Sequence, residues 1–282
     1  MKKVLVAGAT GYLGRYLVKE AKNQNYWVRT LARKSKKLKD ISENVDEVFE
    51  AEVTKPETLT GICDNIDVII SSIGITRQKD GLTYMDVDYQ GNKNLLDQAL
   101  QNKVSKFIFI SVLNAPQMKD LKGIQAKLLF EEELIKSGLD YVIVRPTGFF
   151  SDMLEFLNMA KKGKVSVFGS GENKINPIHG ADLAEVCVNA INNSAENINI
   201  GGPEIYTFNE IAEMALQVLN KPIKISKLPI WMIKIILPIM RTLTSSKTYG
   251  PIEFMMTVMT MDVVGESFGK NRLKNFFEES KG

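Results

Sequence analysis

Apolar residues fall along this chain in short unbroken runs separated by stretches of helical spacing. Val4-Leu5-Val6 opens the series as a buried strand, and Leu13, Leu17 and Val18 then recur at helical intervals. Further strands are predicted at Tyr26–Leu31, Glu47–Ala51, Asp67–Ser72, Lys106–Val112 and Tyr141–Arg145, the last stopped by Pro146. Between them the pattern predicts a short helix from Pro56, a helix over Tyr89–Gln101 with Leu95, Leu96, Ala99 and Leu100 on its apolar side, and another over Ile124–Ser137. Apolar runs joined by helices imply an α/β fold with a doubly wound parallel sheet covered on both faces. After Pro146 the rhythm loosens. Lys164–Phe168 reads as a short strand, Ala181–Ile191 as a helix and Asn197–Ile200 as the last of seven sheet strands. The expected division is a domain over 1–147, completed by that last strand, and a smaller, mostly helical C-terminal lobe over 148–282 that takes a substrate or partner.

The join between the first strand and helix carries the chemistry. Residues 8–14 read GATGYLG. Gly8 allows a tight turn, Gly11 lets backbone approach a pyrophosphate, and Gly14 lets the helix pack close to the strand so that its N–H groups meet the anion. This context, strand before and helix after, is what a Rossmann dinucleotide site requires. Ligands of such sheets collect at the C-terminal strand ends, which gathers Gly8–Gly14, Arg33, Glu52, Ser72–Gly74, Ser111 and Pro146–Phe149 along one edge. The candidate cofactor-binding residues are therefore Gly8, Thr10, Gly11, Tyr12, Leu13, Gly14, Arg33, Glu52, Ser72, Gly74, Pro146 and Phe149. A site preferring NAD places an acid near the end of the second strand. Here that strand runs into ARKSKK, with no acid before Asp40, and Arg33 suits the extra phosphate of NADP(H). NADP(H) is expected over NAD(H).

With the three glycines spaced as G-x-x-G-x-x-G, the chain resembles the extended and atypical short-chain dehydrogenase/reductases. FEAEVTKPETL, VDYQGNKNLLDQA, AKLLFEEELIKSGLDYVIVRPTGFF, NPIHGADLAEV and NIGGPEIYTFNEIA extend the likeness over nearly the whole sequence. NmrA-like, isoflavone-reductase-like and divinyl chlorophyllide reductase-like enzymes are the similar branches. Photosystem assembly factors and an accessory subunit of respiratory complex I, which use the fold for binding or assembly, are also similar. The resemblance implies that Glu52-Val53 lies near the adenine and that Lys127 is the lysine that holds the nicotinamide ribose. Relatives pair that lysine with a tyrosine four residues earlier; here Gly123 stands there, and no tyrosine occurs between Val104 and Asp140. The usual proton donor to a carbonyl is missing, which disfavours alcohol–ketone chemistry and leaves hydride transfer to an activated C=C bond open. Glu131, at i+4 from Lys127, is placed to orient its ammonium. Ser111 is a second candidate catalytic group.

Composition narrows this little. The net charge of +3 gives no case for nucleic acid, and Cys63 and Cys187 lie in unrelated segments, as in a reduced cytoplasmic protein. No zinc, hydrolase-triad or P-loop spacing is present in the sequence, so no metal is expected. His179, the sole histidine, and Asp182 read as structural groups at a helix start. One region is unusual. LPIWMIKIILPIM, from Leu228 to Met240, is intensely apolar, and a Met-rich stretch follows over Phe254–Val264. At 13 residues it is short of the ~20 needed to span a bilayer. A core-packed helix, a lid over an apolar substrate, a protein-binding face and shallow membrane contact all fit it. Two functions follow: an NADPH-dependent reductase of a small apolar or conjugated acceptor, or a nucleotide-binding assembly or regulatory protein without hydride chemistry.

Overall fold

The computed structural model describes residues 1–75, 81–244 and 246–282, with the side chains of 246–248 left aside. In chain order the elements are β1 (Lys3–Ala7), α1 (Tyr12–Asn23), β2 (Trp27–Ala32), β3 (Glu47–Glu50), β4 (Val68–Ser71), α2 (Asn92–Gln101), β5 (Lys106–Ile110), α3 (Lys122–Lys136) and β6 (Asp140–Pro146). These are followed by α4 (Phe150–Lys161), β7 (Val165–Phe168), β8 (Lys174–Ile175), α5 (Gly180–Asn189), β9 (Asn197–Gly201), β10 (Tyr206–Thr207) and α6 (Phe208–Val218). The chain ends with β11 (Ile225–Leu228), α7 (Trp231–Leu243), α8 (Ser246–Val258), β12 (Glu266–Ser267) and α9 (Leu273–Glu279).

The main sheet runs β12-β9-β6-β5-β4-β1-β2-β3. The strand order reverses between β1 and β4, which pair in parallel from Val4↔Val68 to Ala7↔Ser71. That reversal is the topological switch point at which open α/β sheets bind their ligands. The sheet has eight strands where seven are expected. The addition is the two-residue β12, which pairs in parallel with β9 through Glu266↔Ile200. Two residues are too few to leave an apolar run, so the sequence pattern does not announce it.

The chain divides into two compact units. The first comprises Met1–Arg145 and Leu183–Ile198, the second Pro146–Asp182 and Asn199–Gly282. Within the first, β4, β5 and β1 from Val4 onward are buried, because helices cover both sheet faces, and their sequences are accordingly almost wholly apolar. Phe107 and Phe109 of β5 meet Phe130 of α3, ring centroids 5.7 and 4.7 Å apart. Each is fully buried, worth roughly 2–3 kcal/mol of transfer free energy. This packing fixes the face that α3 presents beyond the strand ends. In the second unit α4 and α6 pack together through Phe156 and Phe208, whose rings stack at 6.2 Å. Thr207 and Glu210 form a capping box that starts α6.

Candidate functional site

The first unit holds a cleft of about 410 Å³ at the switch point. Its walls come from the glycine turn (Gly8, Thr10, Gly11), the end of β2 and the segment after it (Ala32, Arg33, Lys37), the segment after β3 (Glu52, Val53, Thr54) and the segment after β4 (Ser72, Gly74, Ile75). Eight of the sequence-predicted residues thus come together: Gly8, Thr10, Gly11, Arg33, Glu52, Val53, Ser72 and Gly74.

The turn is built by its glycines. Gly8 has φ +90, a conformation that side chains rarely adopt, and its carbonyl accepts from the Gly11 N–H at 2.9 Å. A Cβ on Gly14 would stand 2.1 Å from that same carbonyl oxygen, so only glycine lets α1 approach β1 this closely. A Cβ on Gly11 would meet nothing nearer than the Gly8 oxygen at 3.3 Å. Gly11 is the N-cap of α1, and neither a side-chain cap nor a first-turn acid is present. The start of α1 therefore keeps the positive dipole end that suits a pyrophosphate. Tyr12 sits edge-on to Tyr16 at 5.4 Å, and Leu13 is buried.

Arg15 fixes the basic segment after β2. Its guanidinium donates to both Asp40 oxygens, at 2.8 and 3.1 Å, and to the Lys37 carbonyl at 3.0 Å. That contact holds the Asp40 carboxyl below the usual carboxylate range. Arg33 and Lys37 are exposed and line the cleft. Glu52, the acid in the lining, is paired with Lys55 at 2.9 Å. Val53 is pinned through its carbonyl, which accepts from Asn94 Nδ2 at 2.7 Å, and its methyl packs where a side chain on Gly91 would stand.

Behind Gly74 lies a charged pair. The chain enters α2 through a π-helical turn, Met85–Gly91, which turns Asp88 inward until it is 1 % exposed. Its carboxylate accepts from the Ile75 N–H at 2.9 Å and lies 3.3 Å from Lys127 Nζ. Burial pushes the Asp88 carboxyl above its ordinary range, with Lys127 pulling it back. A Cβ on Gly74 would stand 2.8 Å from Asp88 Oδ1 and 3.2 Å from Lys127 Nζ, so the pair adjoins the cleft wall at a residue without a side chain. The lysine also lies over the Phe109 ring, 5.3 Å from its centroid. The expected Lys127–Glu131 pairing does not form. Glu131 is taken by Arg145 of β6 at 2.6 Å, because both lie on the strand side of α3.

Ser111, just beyond β5, is buried, and its hydroxyl has no hydrogen-bond partner among the described residues. An orphaned hydroxyl at a strand end fits a site that is completed by a ligand. Tyr84 is the residue that sequence reasoning missed. Its ring crosses Gly123 so closely that a Cβ there would sit 3.2 Å from Cδ1 and Cε1. Gly123 is thus the space that admits the Tyr84 ring, one helical turn before Lys127. The pairing spans nearly 40 residues of sequence, and no local spacing signals it. Pro146 and Phe149 belong to the second unit. His179 packs between Phe150 and Phe276 and accepts from the Ala181 N–H at 3.2 Å, while Asp182 binds Asn271 through backbone and side chain. Burial lowers the pKa of His179. Among the described residues no cluster of three or more His, Cys, Asp or Glu side chains could hold a metal.

Known proteins bear on this geometry. The sequence model of the NAD(P)H-binding family matches residues 8–194. The photosystem II assembly factor Ycf39 of Synechocystis is 29% identical over 80% of this chain and 71% of its own length. The chloroplastic divinyl chlorophyllide a 8-vinyl-reductase of Cucumis sativus is 29% identical over 98% and 75%. The fold is that of an NADPH-dependent quinone oxidoreductase of Escherichia coli solved with NADPH, at a TM-score of 0.73, 16% identity, and coverage of 99% of this chain and 100% of that one. With a glycine turn, an uncapped helix start and a cleft at the switch point, the chain belongs to the NAD(P)H-binding family.

Proposed function

We propose that the chain is an NADPH-dependent reductase of a small apolar or conjugated acceptor, acting in the cytoplasm. The observation that carries this reading is the Lys127–Asp88 pair against Gly74, an ammonium held by a buried carboxylate beside the cleft wall. The residues present suit the dinucleotide: the start of α1 for the pyrophosphate, and Arg33 with Lys37 for a 2′-phosphate, Glu52 being neutralised by Lys55. When bound, NADPH supplies a hydride from its dihydronicotinamide. Lys127 would donate to the ribose hydroxyls, oriented by Asp88 at 3.3 Å. The Ser111 hydroxyl would gain in the ligand the partner it lacks among the described residues. We assign the proton that accompanies the hydride to the Tyr84 phenol, whose ring takes the place left by Gly123.

The test is oxidation of NADPH, followed by its absorbance, against a panel of quinones and conjugated enones. Turnover that falls at least ~tenfold in Lys127→Met, in protein that still binds NADPH, supports the reading. Tight NADPH binding with no oxidation by any acceptor contradicts it and favours the second reading, a nucleotide-binding assembly protein. That second reading draws on the exposed apolar stripe of α7 and on the likeness to an assembly factor.

A further inference from the structure

Helix α7 is unlike every other helix of the chain. Its sequence, WMIKIILPIMRTL, is among the most apolar in the protein, yet none of its residues is buried. Trp231, Ile235, Ile239 and Leu243 are 61%, 52%, 51% and 77% exposed, and they recur every four residues. They form one stripe along the helix surface, with Ile230 exposed at its start. Lys234 and Arg241, seven residues apart, lie together on one flank of that stripe. Arg241 is paired with Glu253 of α8; Lys234 has no ion-pair partner among the described residues. The surrounding sequence is cationic throughout. From Met214 to Ile252 there are six Lys and Arg and no acid. Lys224 and Lys227, at the approach to the helix, are exposed, as is Ile223.

We propose that α7 is a docking surface for an anionic lipid bilayer, lying in the headgroup plane with its Trp231–Leu243 stripe inserted. A helix that presents large apolar side chains on one arc and cations beside it has the composition of an interfacial helix. No helix of the described residues is long and apolar enough to cross a membrane, so the contact is with one leaflet. Charge selects among the occupants. A second copy of this chain would bring an equally acid-free cationic segment against the first, and the two would repel. The stripe also carries no polar side chain with which a folded partner could fix a register, whereas a bilayer requires none. Anionic headgroups meet the lysines while acyl chains meet the isoleucines. The proposal is independent of whether the cleft supports hydride transfer.

The test uses the full chain with vesicles of phosphatidylcholine alone and of phosphatidylcholine with phosphatidylglycerol. Expected are co-sedimentation with the phosphatidylglycerol vesicles only, weakened by salt, and a blue shift of tryptophan emission that is lost in Trp231→Phe. Ile235→Asp/Ile239→Asp should reduce the partition at least ~tenfold, and Lys224→Glu/Lys227→Glu/Lys234→Glu should do the same. Both variants should keep wild-type circular dichroism and NADPH affinity, since all these positions are exposed or half-exposed. Absence of partition into anionic vesicles overturns the proposal. So does equal partition of the Asp variant. A concentration-dependent dimer that the Asp variant abolishes and vesicles do not compete for would assign the stripe to a second copy instead. Saturable capture of an acidic protein, with no vesicle binding, would overturn it equally.

Discussion

Replacing Lys127 by Met tests the charged pair behind Gly74 through stability as well as activity. The substitution keeps the aliphatic stem over Phe109 and removes the ammonium 3.3 Å from Asp88. A solvated helix lysine would be lost at no cost to folding, but here the carboxylate left behind is 1 % exposed. Its remaining donor is the Ile75 N–H, and breaking a buried pair on one side costs about 3–5 kcal/mol. The carboxyl can escape by taking a proton. Holding it neutral at pH 7, when it ionises at 3.8 in the unfolded chain, costs about 4 kcal/mol, which caps the penalty. Because the folded-state pKa is raised, stability is fully present below that ordinary value and is lost as pH rises through the folded pKa. Wild type shares the first part of that loss, its own Asp88 being raised, so the deficit should be small at low pH and open, by up to about 1.4 kcal/mol per pH unit, only above the wild-type Asp88 pKa. Urea unfolding of wild type, Lys127→Met and Lys127→Met/Asp88→Asn across this range measures it. The double variant keeps an acceptor for Ile75 and should recover most of the loss at neutral pH. A deficit independent of pH, or a double variant as unstable as the single one, would refute the buried-pair account.

Four further outcomes are expected. Gly14→Ala, whose Cβ would stand 2.1 Å from the Gly8 oxygen, should destabilise the fold by roughly 3 kcal/mol or more in denaturant titration. Gly11→Ala meets nothing closer than 3.3 Å, so its unfolding should change by less than about 1 kcal/mol while NADPH affinity drops about tenfold. Tyr84→Phe should lower turnover with a working acceptor at least ~tenfold without changing NADPH affinity; unchanged turnover would remove the phenol from the proton path. Cys63 and Cys187 are both buried, with burial pushing Cys63 up to about 12 and Cys187 higher still. Neither should react with iodoacetamide in native protein at pH 8, and mass spectrometry showing rapid alkylation of either would count against that.

The parallel sheet and its glycine turn were legible because both faces of β1, β4 and β5 are buried, which leaves unbroken apolar runs that end on small residues. The cleft lining at Arg33, Glu52, Ser72 and Gly74 was legible because strand ends could be counted along the sequence, and Val53 through the family resemblance. The partners of Lys127 and Glu131 were not. Spacing on a helix proposes i,i+4 pairs, whereas each side chain here answers to a different neighbouring element, Asp88 before α2 and Arg145 on β6. A π turn, invisible to a 3.6-residue periodicity, is what brings Asp88 inward. The Tyr84 ring beside Gly123 left no local signal, because it lies nearly 40 residues away in sequence. Likewise, β12 is too short to leave a pattern, and apolar content alone could not tell that the α7 stripe faces outward.

The central claim is an NADP(H) site formed by the glycine turn and the basic segment after β2. Isothermal titration of the chain with NADPH and with NADH, repeated on Arg33→Ala/Lys37→Ala, tests it most directly. The account predicts NADPH bound at least ~tenfold more tightly than NADH, about 1.4 kcal/mol, with that preference abolished and NADH affinity unchanged in the variant. Equal or tighter binding of NADH by the wild type, or a preference that survives the double substitution, would contradict it.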